Sequence, residues 1–268
     1  MMEITTDDSL TRRNVVVLVA AQAVLGSQMP MIFVIGGLAG GMLTGNPCLA
    51  TLPISLVVFG SMTTAPWLSA LMQKRGRKLG FFIGAIGGAL GALVSAYGLY
   101  LSSFSLLLFG SYLSGIYMSA QGFYRFAATD NASKEFRPKA IAYITAGGLI
   151  YAVLGPQLNK FVQDASVIPF LGTYVTVAGL NLIGMFLFLL LKFPQNTSSK
   201  SLKNNMQPPR DYGALLRDPR ILVSIVCGMV AYSLMNLVMT STPLAVVGCG
   251  FTKNNANDVV SAHVVAMF

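Results

Sequence analysis

Charged residues are absent from five long stretches of this chain: Asn14 to Gln73, Leu79 to Tyr124, Ala140 to Asn159, Ala165 to Leu191 and Ile221 to Thr252. Within them apolar residues run on without the strict alternation of a half-buried strand. A helix rises about 1.5 Å per residue and needs about 20 mostly apolar residues to cross the hydrocarbon core of a bilayer. The first two stretches are each long enough for two crossings, and polar turns divide them: TGNPC (Thr44 to Cys48) and LSSFS (Leu101 to Ser105). The pattern therefore predicts seven spans, at 15–41, 49–72, 79–101, 104–127, 140–159, 168–191 and 221–244. An eighth starts near Asn257 and is cut at Phe268. Backbone groups in lipid must be satisfied internally, so runs of this length are helices. The short alternating segments of a membrane barrel are not seen. The fold class is all-α, a polytopic membrane protein.

Composition agrees with this reading. Of 268 residues 54% are hydrophobic and 10% charged, where soluble domains carry roughly a quarter charged residues. Mean hydropathy is +0.66. The N-terminal tail carries Glu3, Asp7 and Asp8 ahead of Arg12 and Arg13, and the apolar run behind it exceeds a signal-peptide core, so it reads as the first span itself.

The +9 net charge is explained by topology. With the N-terminus inside, all 18 basic residues except Arg125, Lys160 and Lys253 fall in inner segments, among them the cluster Lys74-Arg75-Gly76-Arg77-Lys78. That asymmetry is the positive-inside signature, and one missed span would scramble it. A nucleic-acid surface would gather these charges on one folded domain. They are spread over four short segments instead, so no nucleic-acid partner is expected. Cys48 and Cys249 both fall in outer loops and could be bridged, whereas Cys227 lies in a span as an apolar filler. No Cys/His set has metal-ligand spacing, GAIGGALG (Gly84 to Gly91) lacks the preceding strand of a dinucleotide fingerprint, and no catalytic constellation converges. The reading expects no enzyme, no metal and no cofactor.

The basic cluster carries a resemblance. Its frame Ser69-x-x-x-Gln73-x-x-Gly76-Arg77-Lys78, between spans two and three, resembles the loop motif G-x-x-x-D-x-x-G-R-[RK] of the Major Facilitator Superfamily, with Ser69 and Gln73 departing from it. The stretch ATDNASKEFRPKAIAYITAGGLIYAVLGP is similar to that family's passage from span four into span five. Asp130 and Arg137 take its acidic and basic positions, and Gly155-Pro156 echoes its Gly-Pro motif, with Tyr151 where a Gly is usual. YGALLRDPRIL (Tyr212 to Leu222) is similar to the family's entry into span seven. VMTSTPLAVVGCG with SAHVVAMF resembles a bacterial branch associated with vitamins such as riboflavin.

The resemblance implies a six-helix N-terminal bundle (1–191), a cytoplasmic linker (192–220) and the start of a C-terminal bundle (221–268). It also implies an inner-side ion network in which Gln73 removes one member and leaves Arg77 to pair with Asp130. Gly76, Arg77, Lys78, Asp130, Arg137, Gly155 and Pro156 are its gating candidates, although Arg77 and Lys78 also read as topology anchors alone. The family has twelve spans, so the chain reads as truncated within its eighth.

Ionisable residues at membrane depth are expensive and mark function by default. Arg125 is the clear case among the complete spans. Gln121 shares its helical face, with Tyr117 and Ser114 beyond, and that face is expected to meet a polar cavity. Arg125 either binds an anionic substrate group or serves a structural or gating role. Gln22 and Gln28 in span one, Tyr232 and Asn236 in span seven, and His263 in span eight complete the substrate-binding candidates. Each of them is equally readable as a helix-to-helix hydrogen bond. With no carboxylate inside spans one to seven, any proton coupling would rest on His263 or on further chain. The function so implied is transport of a small, vitamin-like organic solute across the bacterial inner membrane by alternating access, with the lipid bilayer and protons as further partners. The alternative is a non-transporting membrane remnant or interaction protein.

Overall fold

The computed structural model describes residues 9–130, 132–192 and 217–267, and among them it contains helices and no strand. The first span is two helices, α1 (Ser9–Gly26) and α2 (Gln28–Leu43). The break falls at Ser27, three residues before Pro30. Pro30 has no N–H for the Gly26 carbonyl and its ring crowds that group, so the helix yields one turn before the proline. Ser27 Oγ donates to the Ala23 carbonyl at 2.7 Å, bridging the break.

A short 3₁₀ turn (Pro47–Leu49) leads to α3 (Leu52–Arg75), and Gly76 alone joins it to α4 (Arg77–Tyr100). Gly76 has φ 94°, in the left-handed region that favours glycine, which is why this motif position carries no side chain. Then come α5 (Phe104–Gly122), α6 (Tyr124–Thr129), α7 (Arg137–Val162) and α8 (Leu171–Gly184), the last extended by 3₁₀ residues Met185–Leu190. Two further helices follow, α9 (Pro219–Gly248) and α10 (Lys253–Ala266). The latter begins ahead of the expected start at Asn257. Thr252 and Asn255 form a reciprocal capping box that satisfies the first backbone N–H groups and sets the start of the helix at Lys253.

Six of these segments are long and apolar enough to cross a membrane. The expected fourth span, α5 with α6, is not among them: it carries Ser111, Ser114, Ser119, Gln121 and Arg125, and its helix is interrupted at Phe123. Large apolar side chains such as Phe59, Leu90, Phe109, Leu154 and Phe186 stand exposed around the helices, where acyl chains would cover them. The chain is an all-α, polytopic membrane protein.

Its most extensive seam is α4 against α5. A Cβ added to Gly84 would lie 2.3 Å from Ala120 Cβ, and one added to Gly91 would lie 2.5 Å from the Ser114 backbone nitrogen. Small residues let the two backbones meet, the usual basis of helix association where lipid offers no hydrophobic drive. The described chain falls into two compact units, one with the residues up to Lys192 and those from Thr240 onward, the other with those between 193 and Met239. The linker expected at 192–220 lies, apart from its ends, outside the described residues.

Candidate functional site

At one end of α7 the basic motif is held by side-chain contacts. Arg77 Nε donates to Asp130 Oδ2 at 2.8 Å and Arg77 Nη2 to Asp130 Oδ1 at 3.2 Å, a two-point fork that fixes the start of α4 on the end of α6. Lys78 Nζ donates to the Leu189 carbonyl at 3.1 Å, and Arg137 Nε to the Ala132 carbonyl at 3.2 Å. The carboxamide of Asn14 pairs with Lys192, donating to its carbonyl at 2.8 Å and accepting from its N–H at 3.0 Å. This end, called the Arg77 end below, is cross-braced from α1 to the 3₁₀ segment. Gln73, which replaces the motif's acid, takes no part in these contacts.

Where α1 ends, the last turn of α5 and the middle of α7 converge on Gly26. A Cβ there would lie 2.8 Å from Tyr151 Cδ1 and 3.0 Å from Gln121 Nε2, so glycine is what admits both side chains. One turn earlier on α1, Gln22 lies against Gly147 of α7, itself one turn before Tyr151: a Cβ added to Gly147 would lie 3.5 Å from Gln22 Cβ. Gln22 Oε1 is buried and has no hydrogen-bond partner among the described residues. Gly155 continues the same contact, since its Cβ would sit 2.4 Å from the Ser27 carbonyl oxygen at the α1–α2 break. The structure therefore brings Gln121 and Tyr151 together on Gly26, with Gln22 one helical turn away on α1.

The other candidates are placed elsewhere. Gln28 is fully buried and forms a reciprocal amide pair with Asn181 of α8, donating at 3.1 Å and accepting at 2.8 Å. Ser114, Tyr117 and Gln121 lie on α5, and Arg125 lies beyond it on α6. Ser114 and Tyr117 are the deeper pair. They are buried against α4, whereas Arg125 is exposed. The helix is reset at Phe123, between α5 and α6, so residues on either side of it no longer share one straight face. Tyr232 and Asn236 lie on α9, where Asn236 Nδ2 donates to the Tyr232 carbonyl at 2.9 Å. His263, on α10, has Nε2 buried with no hydrogen-bond partner among the described residues. Cys48, Cys227 and Cys249 are free thiols.

The far end of α7, the Lys160 end, carries a network that the sequence pattern does not announce. Pro156 has no N–H to give Ala152, and the Ala152 carbonyl accepts from Ser261 Oγ of α10 at 2.9 Å. Further along, Asn159 Nδ2 donates to Asn257 Oδ1 at 2.9 Å, while Asn159 Oδ1 accepts from Thr173 Oγ1 of α8 at 2.7 Å. Asn257 Nδ2 donates to Gln163 Oε1 at 3.1 Å, and Gln163 Nε2 to Asn254 Oδ1 at 2.8 Å. Asn159, Asn257 and Thr173 are 0% exposed and Gln163 1%. Two ion pairs flank them: Lys160 with Asp258, and Lys253 with Asp164 at 2.6 Å. Gln157 joins the first pair by donating to Asp258 at 3.3 Å.

The chain matches the family model of the Major Facilitator Superfamily over residues 16–268. It is 36% identical over 267 residues to the riboflavin transporter RfnT of Brucella anthropi, a match covering 98% of this chain and 66% of that protein. Two uncharacterized MFS-type transporters of Bacillus subtilis, YddS and YdeG, are 24% and 26% identical over 97% of this chain and 63% of each relative. The chain thus spans just under two thirds of the length of these relatives. Helices in the expected order, the arginine fork at the α3–α4 turn and a match from residue 16 onward establish that this chain belongs to the Major Facilitator Superfamily.

Proposed function

We propose that this chain belongs to a transporter that moves a flavin-like organic solute across the bacterial inner membrane by alternating access. The Gln22–Gln121–Tyr151 cluster around Gly26 carries the reading. A planar, heteroaromatic solute offers imide and carbonyl groups for amides to bond and a face for a tyrosine ring to cover. A relative of 36% identity is a riboflavin transporter, which supports the flavin class. In this reading Arg125, Gln28, Tyr232 and Asn236 contribute to solute binding or to the shape of the path, and proton coupling rests on His263. The Arg77 end is cytoplasmic by the positive-inside pattern, and the chain divides into a six-helix bundle to residue 191, a linker and the start of a second bundle. The fork of Arg77 with Asp130, with Lys78, Arg137, Gly155 and Pro156, serves gating.

The test is uptake of labelled riboflavin by bacteria that neither synthesise nor import it. Cells expressing the protein are expected to accumulate riboflavin above vector controls. Tyr151→Ala is expected to cut initial uptake at least tenfold at unchanged membrane abundance, roughly 1.4 kcal/mol of lost interaction or more. Full uptake by Tyr151→Ala would remove the cluster from the binding site. Absence of flavin uptake by the inserted native protein would overturn the substrate class.

A further inference from the structure

Just past the end of α7 the chain leaves a cavity of about 390 Å³, with Gln163 and Asp164 on one side and Val247, Phe251, Lys253 and Asn254 on the other. That volume falls in the range of small-molecule sites, roughly 300–1,000 Å³. Gly250, at φ 87° in the left-handed region, turns the chain between α9 and α10 and leaves Phe251 62% exposed at the rim. Val247, in the last turn of α9, adds an apolar wall. Thr252, also at the wall, is spent on Asn255 in the capping box, so the polar groups left to a ligand belong to Asp164, Lys253 and Asn254. Asp164 gives Oδ1 to Lys253 and keeps Oδ2. Asn254 gives Oδ1 to Gln163 and keeps its amide N–H groups. Lys253 Nζ, held over the Phe170 ring at 4.8 Å, has three N–H donors and spends one on Asp164.

We propose that this cavity is a second binding site, on the outer face, for an uncharged solute made of a planar heteroaromatic ring and a hydroxylated chain. The proposal rests on the transport reading above, which supplies the solute class and the orientation. Phe251 offers the ring a face to stack on, and Val247 an apolar edge. Each hydroxyl of the chain both donates and accepts, so it needs an acceptor and donors side by side. Asp164 Oδ2 is the acceptor, and the N–H groups of Asn254 and Lys253 are the donors. Lys253 and Asp164 form an ion pair with no net charge. The site therefore suits a neutral polyol and gives an anion no advantage. It is also separate from the Gly26 cluster. From Tyr151 to Gln163 is about 18 Å along α7 at about 1.5 Å per residue, and the buried Asn159 lies between them. The cavity is reached from the Lys160 end without passing that residue. It collects the solute at the surface, ahead of the Gly26 cluster.

Protection of a reporter thiol tests this in intact cells. With Cys48, Cys227 and Cys249 replaced by serine, Val247→Cys puts one thiol in the cavity wall. A membrane-impermeant maleimide is added outside, with and without riboflavin. Riboflavin is expected to slow labelling at least fivefold. Phe251→Ala is expected to abolish that protection and Phe251→Trp to keep it. Phe251 is exposed, so neither change threatens the fold. Lumichrome, the ring without the chain, is expected to protect at least threefold less than riboflavin. Tyr151→Ala is expected to leave protection intact, because the two sites are separate. In uptake, Phe251→Ala is expected to raise KM about fivefold at an unchanged maximal rate. Equal protection in native and Phe251→Ala proteins, or none in either, would overturn the site. Lumichrome protecting as well as riboflavin would overturn the roles of Asp164 and Asn254. Protection that depends on Phe251 in a protein with no flavin uptake sinks the transport reading alone. Uptake without protection sinks the outer site alone.

Discussion

The α4–α5 and α7–α10 seams are both helix pairs in one compact unit, yet they are built from opposite materials. The first uses Gly84 and Gly91 to bring backbone against Ala120 and Ser114. The second uses Asn159, Gln163, Asn257 and Ser261 to bring side-chain amides and a hydroxyl against one another and against a carbonyl freed by Pro156. Lipid tails are as apolar as leucine, so neither seam draws on a large hydrophobic term. Close dispersion contact holds the first, and directional bonds with exchangeable partners hold the second. The difference sorts interfaces into those held by backbone contact and those held by side-chain bonds that water can replace.

The strongest way to break the comparison is to overfill the glycine seam. Gly91→Leu would drive a branched side chain into the Ser114 backbone, which cannot retreat, and overpacking of this kind costs about 3 kcal/mol or more. The expected outcome is loss of the monodisperse peak in detergent and a collapse of membrane abundance. A smaller effect is expected from Asn159→Leu, which leaves the Thr173 hydroxyl and Asn257 without their shared partner. Unpaired buried groups cost about 1–3 kcal/mol, read as a lower melting temperature with the helical signal of the remaining bundle retained. The smallest belongs to Asp258→Asn. Its ion pair with Lys160 lies at the rim, with the carboxylate 54% exposed, so screening leaves at most a few tenths of a kcal/mol. That difference should vanish from the melting curve at high salt.

Much of the helical order is legible in the chain. Gaps between charges mark the spans, and most helix edges lie within a few residues of the expected ones. The departures have physical causes. Pro30 acts on the carbonyl four residues before it, so the break sits at Ser27 and not at the proline. Thr252 and Asn255 cap α10 at a place the apolar pattern does not mark. Arg125 follows Gln121 by one turn in sequence but stands beyond the break at Phe123 and is exposed, whereas Ser114 and Tyr117 are buried where α4 carries glycines.

Of the candidate site, Gln22 and Gln121 stand out in the chain as amides at membrane depth. Tyr151 shows there only as a departure from a glycine, and Gly26 gives no signal, since what matters at that position is an absent side chain opposite two others. The α7–α10 network is the least legible. Asn159, Gln163, Asn254 and Asn257 are ordinary residues near span ends, separated by about ninety positions, and only the fold puts them in register. The one sequence signal is charge order: Lys160 and Asp164 one turn apart, and Lys253 and Asp258 with the signs reversed for an antiparallel partner.

The bracing at the Arg77 end has a mechanical consequence. Forks and carbonyl bonds tie the start of α4, the end of α6, the start of α1 and the 3₁₀ segment into a stiff base, and α7 rises from it like a lever arm. With 26 residues, α7 is about 39 Å long, so pivoting the braced bundle by about 10° sweeps its far tip through about 7 Å. That sweep exceeds the reach of every α7–α10 hydrogen bond beyond Pro156. A small rotation at a rigid base would therefore part them together, with no helix having to bend.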